Sequence, residues 1–172
     1  MFDEGLYAYR QGDYATALEI WKPLAEEGVI DAQFGLGLIY AEGQGVAQDF
    51  EEAVKWYRLA AEQGSADAQA NLGVLYDSGH GVPQSKTESA KWWRMAAENG
   101  NAPAQVNLAV MYANGQGVER DLIQAHMWFS IAAARGNEMA VQGRQRAAGG
   151  MTADEEPRGV PAVRRDLAVD PG

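Results

Sequence analysis

The amino-acid sequence predicts an all-α protein, a solenoid of helix-turn-helix repeats, and three observations carry that prediction. One pattern recurs at a fixed spacing of 36 residues, a glycine-rich turn divides each copy, and the segments on either side of the turn place apolar residues at helical spacing. Leu36, Leu72 and Leu108 coincide, as do Tyr40, Tyr76 and Tyr112 and the Gly-x-Gly-Val turns that begin at Gly43, Gly79 and Gly115. The tryptophans Trp56, Trp92 and Trp128 follow in step, then Ala60-Ala61, Ala96-Ala97 and Ala132-Ala133, and finally Gly64, Gly100 and Gly136. Units that repeat at such a period bury their apolar faces against their neighbours and not in one central core.

Taken in order, Asp3 to Gln11 and Asp13 to Glu27 read as a shortened hairpin with Gly12-Asp13 as its turn. Its apolar stripe is Tyr7, Tyr14, Ala17, Trp21 and Ala25, and Gly28 stops the second helix. Three full repeats follow, with first helices near Asp31 to Ala41, Asp67 to Asp77 and Ala104 to Ala113. In the middle one, Ala68, Leu72, Leu75 and Tyr76 share a face. Gly73 inside that helix costs roughly 1 kcal/mol against alanine, which implies a close approach by a neighbouring helix. Each Gly-x-Gly-Val turn supplies two positions able to take positive φ and a valine to tuck under the hairpin. Second helices run near Phe50 to Gln63, Thr87 to Asn99 and Leu122 to Arg135, with Asp49, Ser85 and Asp121 placed to cap them. The repeat array is thus expected over residues 1–140. A capping helix within 141–150, ended by Gly149-Gly150, and a mostly disordered tail over 151–172, with a weak helix near Ala162 to Ala168, complete the expected organisation.

Charge and composition exclude several functions. The chain of 172 residues carries a formal net charge of −10, and residues 1–140 hold 9 Lys/Arg against 19 Asp/Glu. So acidic a surface repels phosphate backbones and anionic membranes. No apolar run is long enough to span a bilayer, and with 0 cysteines neither disulfides nor thiolate metal sites are available. The two histidines stand apart, His80 in a glycine turn and His126 on a second helix. Glu26-Glu27, Glu51-Glu52 and Glu155-Glu156 are adjacent pairs that splay around a helix or tail and do not face each other as an acid/base dyad does. The glycine turns follow no strand, so they do not form phosphate loops. No catalytic residue, cofactor or metal is indicated.

With Ala-x-x-x-Leu-Gly-x-x-Tyr, Gly-x-Gly-Val, Ala-x-x-Trp-aromatic and Ala-Ala-x-x-Gly in register over about residues 5–140, the chain resembles the Sel-one-like repeat family, a relative of the tetratricopeptide repeat. The resemblance implies a right-handed α/α superhelix and a non-catalytic scaffold or adaptor that joins other proteins; a capped array is further expected to stay monomeric. It also implies a concave side lined by first helices, where the residue before the Leu-Gly pair faces an extended peptide. That place holds Gly35, Asn71 and Asn107. An asparagine amide offers a donor and an acceptor to a peptide backbone, and it serves equally to stitch adjacent repeats together. Phe34, Leu38, Ala70, Val74, Asp77, Val106, Val110, Ala113 and Asn114 share the implied surface. No Lys or Arg occurs in residues 31–42, 67–78 or 103–114, so a clamp for a carboxylate is not expected and the partner is expected to be neutral or basic. Some family members are cysteine-rich and β-lactamase-like, which makes an exported enzyme or enzyme-inhibitor module the alternative. The missing cysteines and Ser-x-x-Lys motif speak against it. Related bacterial chains carry a secretory signal ahead of a segment like FDEGLYAYRQGDYATAL; this implies a periplasmic or secreted protein where such a leader has been removed, and a cytoplasmic one otherwise.

Overall fold

A computed structural model of the chain describes residues 1–151. The expected tail, from Thr152 onward, lies outside the described residues. These residues form nine helices and no strand. They fall into two compact units, the first Met1–Gln84 and the second beginning at Ser85.

The first unit holds α1 (Phe2–Arg10), α2 (Tyr14–Glu26), α3 (Ile30–Glu42), α4 (Phe50–Glu62) and α5 (Ala66–Ser78), each packed on its neighbour in sequence. Trp21 anchors the first seams. Its ring stacks on Phe2 at 5.6 Å between centroids and lies 5.5 Å from Tyr9, and its Nε1 donates to the Phe2 carbonyl at 3.3 Å. Gly5 on α1 and Gly35 on α3 flank this indole. A Cβ added at Gly35 would lie 2.6 Å from the ring, and one added at Gly5 would meet its opposite edge. The notch therefore has to be empty on both sides. Gly37, one period before Gly73, gives up its side chain to the ring of Tyr57 in the same way. Tyr7 departs from the expected stripe. It is 68% exposed, because α1 buries Gly5 and Ala8 and turns the tyrosine outward.

The second unit holds α6 (Lys86–Glu98), α7 (Ala102–Asn114), α8 (Leu122–Ala134) and α9 (Glu138–Gly150). Trp92 and Trp128 are buried, with Ala96 and Ala132 fully buried beside them in sequence, as large-against-small packing requires. The last helix begins earlier and runs further than the expected 141–148. Asn137 caps it, accepting from Ala140 N at 2.9 Å, one period after Asn101 caps α7 on Ala104 N at 2.9 Å. The 36-residue register thus continues one helix longer than the apolar pattern suggests. Gly149-Gly150 does not end the helix early, since both residues lie inside it.

Local chemistry sets the helix ends. Asp49, Ser85 and Asp121 each accept from backbone N–H groups at the start of α4, α6 and α8, at 3.0–3.1 Å. In every Gly-x-Gly-Val turn both glycines have positive φ, between 65° and 74°. The second glycine presses on the start of an earlier second helix, Gly81 on the Phe50 carbonyl and Gly117 on that of Lys86, so the turn is a packing device. Side chains missed in the sequence close the hairpins: Gln48 donates to the Ala41 carbonyl at 2.8 Å, Gln84 to Asp77 at 2.7 Å and Arg120 to Ala113 at 3.1 Å.

Gly35→Ala is expected to lower stability by about 1–3 kcal/mol, because Trp21 has no room to retreat from the new methyl group. Urea unfolding checks this against Gly149→Ala, where open space surrounds the glycine and no loss is expected. A second expectation concerns pH. Burial, and then the charge of Arg144, hold the His126 imidazole below its ordinary 6.5. The unfolded chain therefore takes up this proton at higher pH than the folded one. The stability contributed by neutral His126 is complete above about pH 6.5 and declines as pH falls. Thermal melts from pH 7.5 to 5 should show a shallower acid-side decline in His126→Gln than in the parent.

Candidate peptide-binding surface

The positions expected to face a peptide lie on α3, α5 and α7, held there by polar bonds that run from one helix to the next. Gln33 and Gln69 are buried at the starts of α3 and α5 and donate through Nε2 to the Ala25 and Ala61 carbonyls, each at 3.0 Å; Gln105 on α7 reaches Ala97 at 3.2 Å. Each amide thereby ties a first helix to the end of the helix before it. Gln63 reinforces the first of these ties, donating to Gln33 Oε1 at 2.8 Å and to the Gly28 carbonyl at 3.2 Å; Arg135 reaches the Gly100 carbonyl in the matching place. Arg58 donates to the Tyr76 hydroxyl at 2.6 Å, and Arg94 to that of Tyr112. The glutamines at 33, 69 and 105, and the arginines at 58 and 94, keep the 36-residue period. That spacing was the signal from which sequence reasoning could have found them.

In the first unit, Phe34 and Asn71 converge on Tyr57. The Phe34 ring lies 5.8 Å from that of Tyr57, and the Asn71 amide interacts with its hydroxyl. Burial pushes the phenol well above its ordinary value of 10, an effect opposed by Asn71 and increased by the nearby Glu42 carboxylate. Asn71 is thus partly engaged in stitching α5 to α4. One turn further along their helices, Leu38 is half-buried and Val74 is 49% exposed. Asp77 is half-buried near the end of α5 and has an interaction partner of its own.

In the second unit, Asn107 is half-buried and makes no side-chain hydrogen bond among the described residues. Val110 is 39% exposed and Asn114 is exposed. Val110 and Asn114 open onto a cleft of about 300 Å³ floored by Leu122, Phe129 and Ala147. Two arginines also line it, Arg120 from the turn after α7 and Arg146 from α9. Neither belongs to the stretches in which the absence of Lys and Arg argued against a carboxylate clamp. In the described residues no group of three His, Asp or Glu side chains is placed to hold a metal, and no helix is long and apolar enough to cross a membrane.

Helical repeats tied end to start, with a recurring row of amide and apolar side chains on the first helices, define a helical-repeat protein. Residues 30–65, 66–101 and 102–137 each match the Sel1 repeat, and the chain belongs to the Sel1 repeat family. It is an all-α repeat solenoid. It is similar to a protective antigen of uropathogenic Escherichia coli displaying an SLR fold, with 42% identity and a TM-score of 0.77 over 81% of this chain. The chain spans only 31% of that antigen's length. It is also similar to a Sel1 repeat protein from Oxalobacter formigenes, with 41% identity and a TM-score of 0.69 over 75% of this chain and 97% of that one. Helicobacter pylori cysteine-rich protein B shares the fold, with 20% identity and a TM-score of 0.60 over 76% of this chain and 93% of that one. No curated protein matches the sequence. Sel1 repeats typically mediate contacts between proteins and are generally non-catalytic.

The two asparagines should behave differently in urea unfolding. Asn71→Ala removes the partner of the buried Tyr57 hydroxyl and is expected to cost about 0.5–1.5 kcal/mol. Asn107→Ala, with no such partner, is expected to stay within about 0.5 kcal/mol of the parent.

Proposed function

We propose that the chain is a non-catalytic scaffold that binds an extended segment of another protein along its first helices. The observation that carries this reading is a repeated one. Val74 and Val110 occupy the same place in successive repeats, and both are large apolar residues left substantially exposed three residues after an asparagine. Each valine leaves part of its surface outside the seams, and beside a half-buried amide it offers an apolar contact next to a group able to hydrogen-bond a backbone. Phe34, Leu38, Asn71 and Asp77 would complete the surface in the first unit, and Asn107 and Asn114 in the second. The absence of Lys and Arg on α3 and α5, together with Glu42 and Asp77, supports a neutral or basic segment for the first unit.

Probing an array of 12-residue peptides, tiled from the secreted and cytoplasmic proteins of the host, with the labelled chain tests the reading. Val74→Arg and Asn107→Ala are each expected to weaken captured peptides about ten-fold or more while the far-ultraviolet circular dichroism is retained. Binding that survives both substitutions would remove the first helices from the reading.

A further inference from the structure

We propose that the cleft bounded by α7, the start of α8 and α9, which Val110 and Asn114 border, takes an acidic segment of a partner protein. In it an aliphatic side chain would rest on the Phe129 and Leu122 floor while an adjacent carboxylate meets Arg120 and Arg146. The inference rests on the protein-binding reading only in taking the ligand to be polypeptide.

The cleft is made by α9 itself. Continuing the 36-residue register places Gly143, Ala147 and Gly150 where α7 carries Asn107, Met111 and Asn114, so the last helix keeps the backbone of a first helix and loses the side chains that would fill the hollow. The backbone still packs closely, since a Cβ at Gly143 would sit 2.5 Å from the Phe129 ring. What remains is about 300 Å³ with an apolar floor and the exposed Val110 on its rim, enough for one or two side chains of a peptide and not for a folded surface.

The charges point to the occupant. Arg120 uses Nε to hold the Ala113 carbonyl at 3.1 Å, which fixes its stem and leaves both terminal amino groups of the guanidinium without a partner in the described residues. Arg146 makes a single long contact, 3.5 Å from Nη2 to Gln142 Oε1. Neither pairs with a carboxylate among the described residues, although the chain holds 24 Asp and Glu against 14 Lys and Arg. Of the two acids next to Arg120 in sequence, Asp121 is committed to capping α8, and Glu119 forms no ion pair with the arginine among the described residues. Two uncompensated guanidinium groups beside an apolar hollow match a carboxylate next to an aliphatic side chain, because a planar fork of N–H groups can donate to both carboxylate oxygens. A polyphosphate would meet the same arginines but also the repulsion of the acidic chain around them.

Fluorescence anisotropy with a labelled peptide Ser-Leu-Glu-Leu-Asp-Ser, and with its amide counterpart Ser-Leu-Gln-Leu-Asn-Ser, tests the site in the full chain. The acidic peptide is expected to bind about ten-fold or more tighter, a difference erased by Arg120→Glu combined with Arg146→Glu. Amide-resonance shifts in the parent should centre on Val110, Leu122 and Gly143. Equal binding of the two peptides, binding of neither, or an acid preference that persists in the double variant would each overturn the proposal. So would a preference that emerges only after Asp154→Asn, Glu155→Gln and Glu156→Gln, since the chain's own acidic stretch would then be the occupant. The probe reports on the second unit alone, so its failure leaves the array result for Val74→Arg standing.

Discussion

Aromatic rings pressed into gaps where a facing helix carries no side chain hold the helices together within each unit of this protein. Trp21 sits between Gly5 and Gly35, Tyr57 against Gly37, and Phe129 against Gly143. A large ring buries the most apolar area available to a single side chain, but it does so only if the opposite backbone comes close enough to leave no void. Glycine supplies that closeness at a cost in helix propensity of about 1 kcal/mol. The cost is offset because each notch joins two helices that neither propensity nor capping would bring together.

Polar bonds add direction to this packing. The buried glutamines at 33, 69 and 105 each donate to a carbonyl eight residues earlier, at the end of the preceding helix. Their net contribution is modest, about 1 kcal/mol each, yet a buried amide left without its carbonyl costs more than that. They therefore act against other arrangements of the helices more than they deepen the chosen one. The arginine and tyrosine pairs Arg58–Tyr76 and Arg94–Tyr112 work alike near the surface. The period replaces that pair with Ser130 and Ala148, so the last helix is released from it and free to carry different chemistry.

The first helices divide their surfaces between two kinds of position. One face of each is taken up by seams that tolerate little change, and the opposite face repeats with few structural duties. Asn71 and Asn107 show the contrast at one repeat position, since Asn71 meets the Tyr57 phenol while Asn107 makes no side-chain hydrogen bond among the described residues.

Helix number through α8, the helix-turn-helix unit, the capping residues Asp49, Ser85 and Asp121 and the positive-φ glycines were all legible in the sequence. Each is a local consequence of residue type or of a repeated spacing. The outward face of Tyr7 was not, because a nine-residue helix with aromatic residues on several sides buries whichever side meets Trp21. Nor was the full length of α9, whose Leu and Tyr positions became Arg144 and Ala148 and so erased the apolar signal while leaving the Asn137 cap and the packing at Gly143 in place. The meeting of Arg120 and Arg146 at one cleft was decided by tertiary structure alone. Spacing along a chain fixes which side of a helix a residue occupies, and only the packing of α9 against α7 and α8 fixes what that side faces.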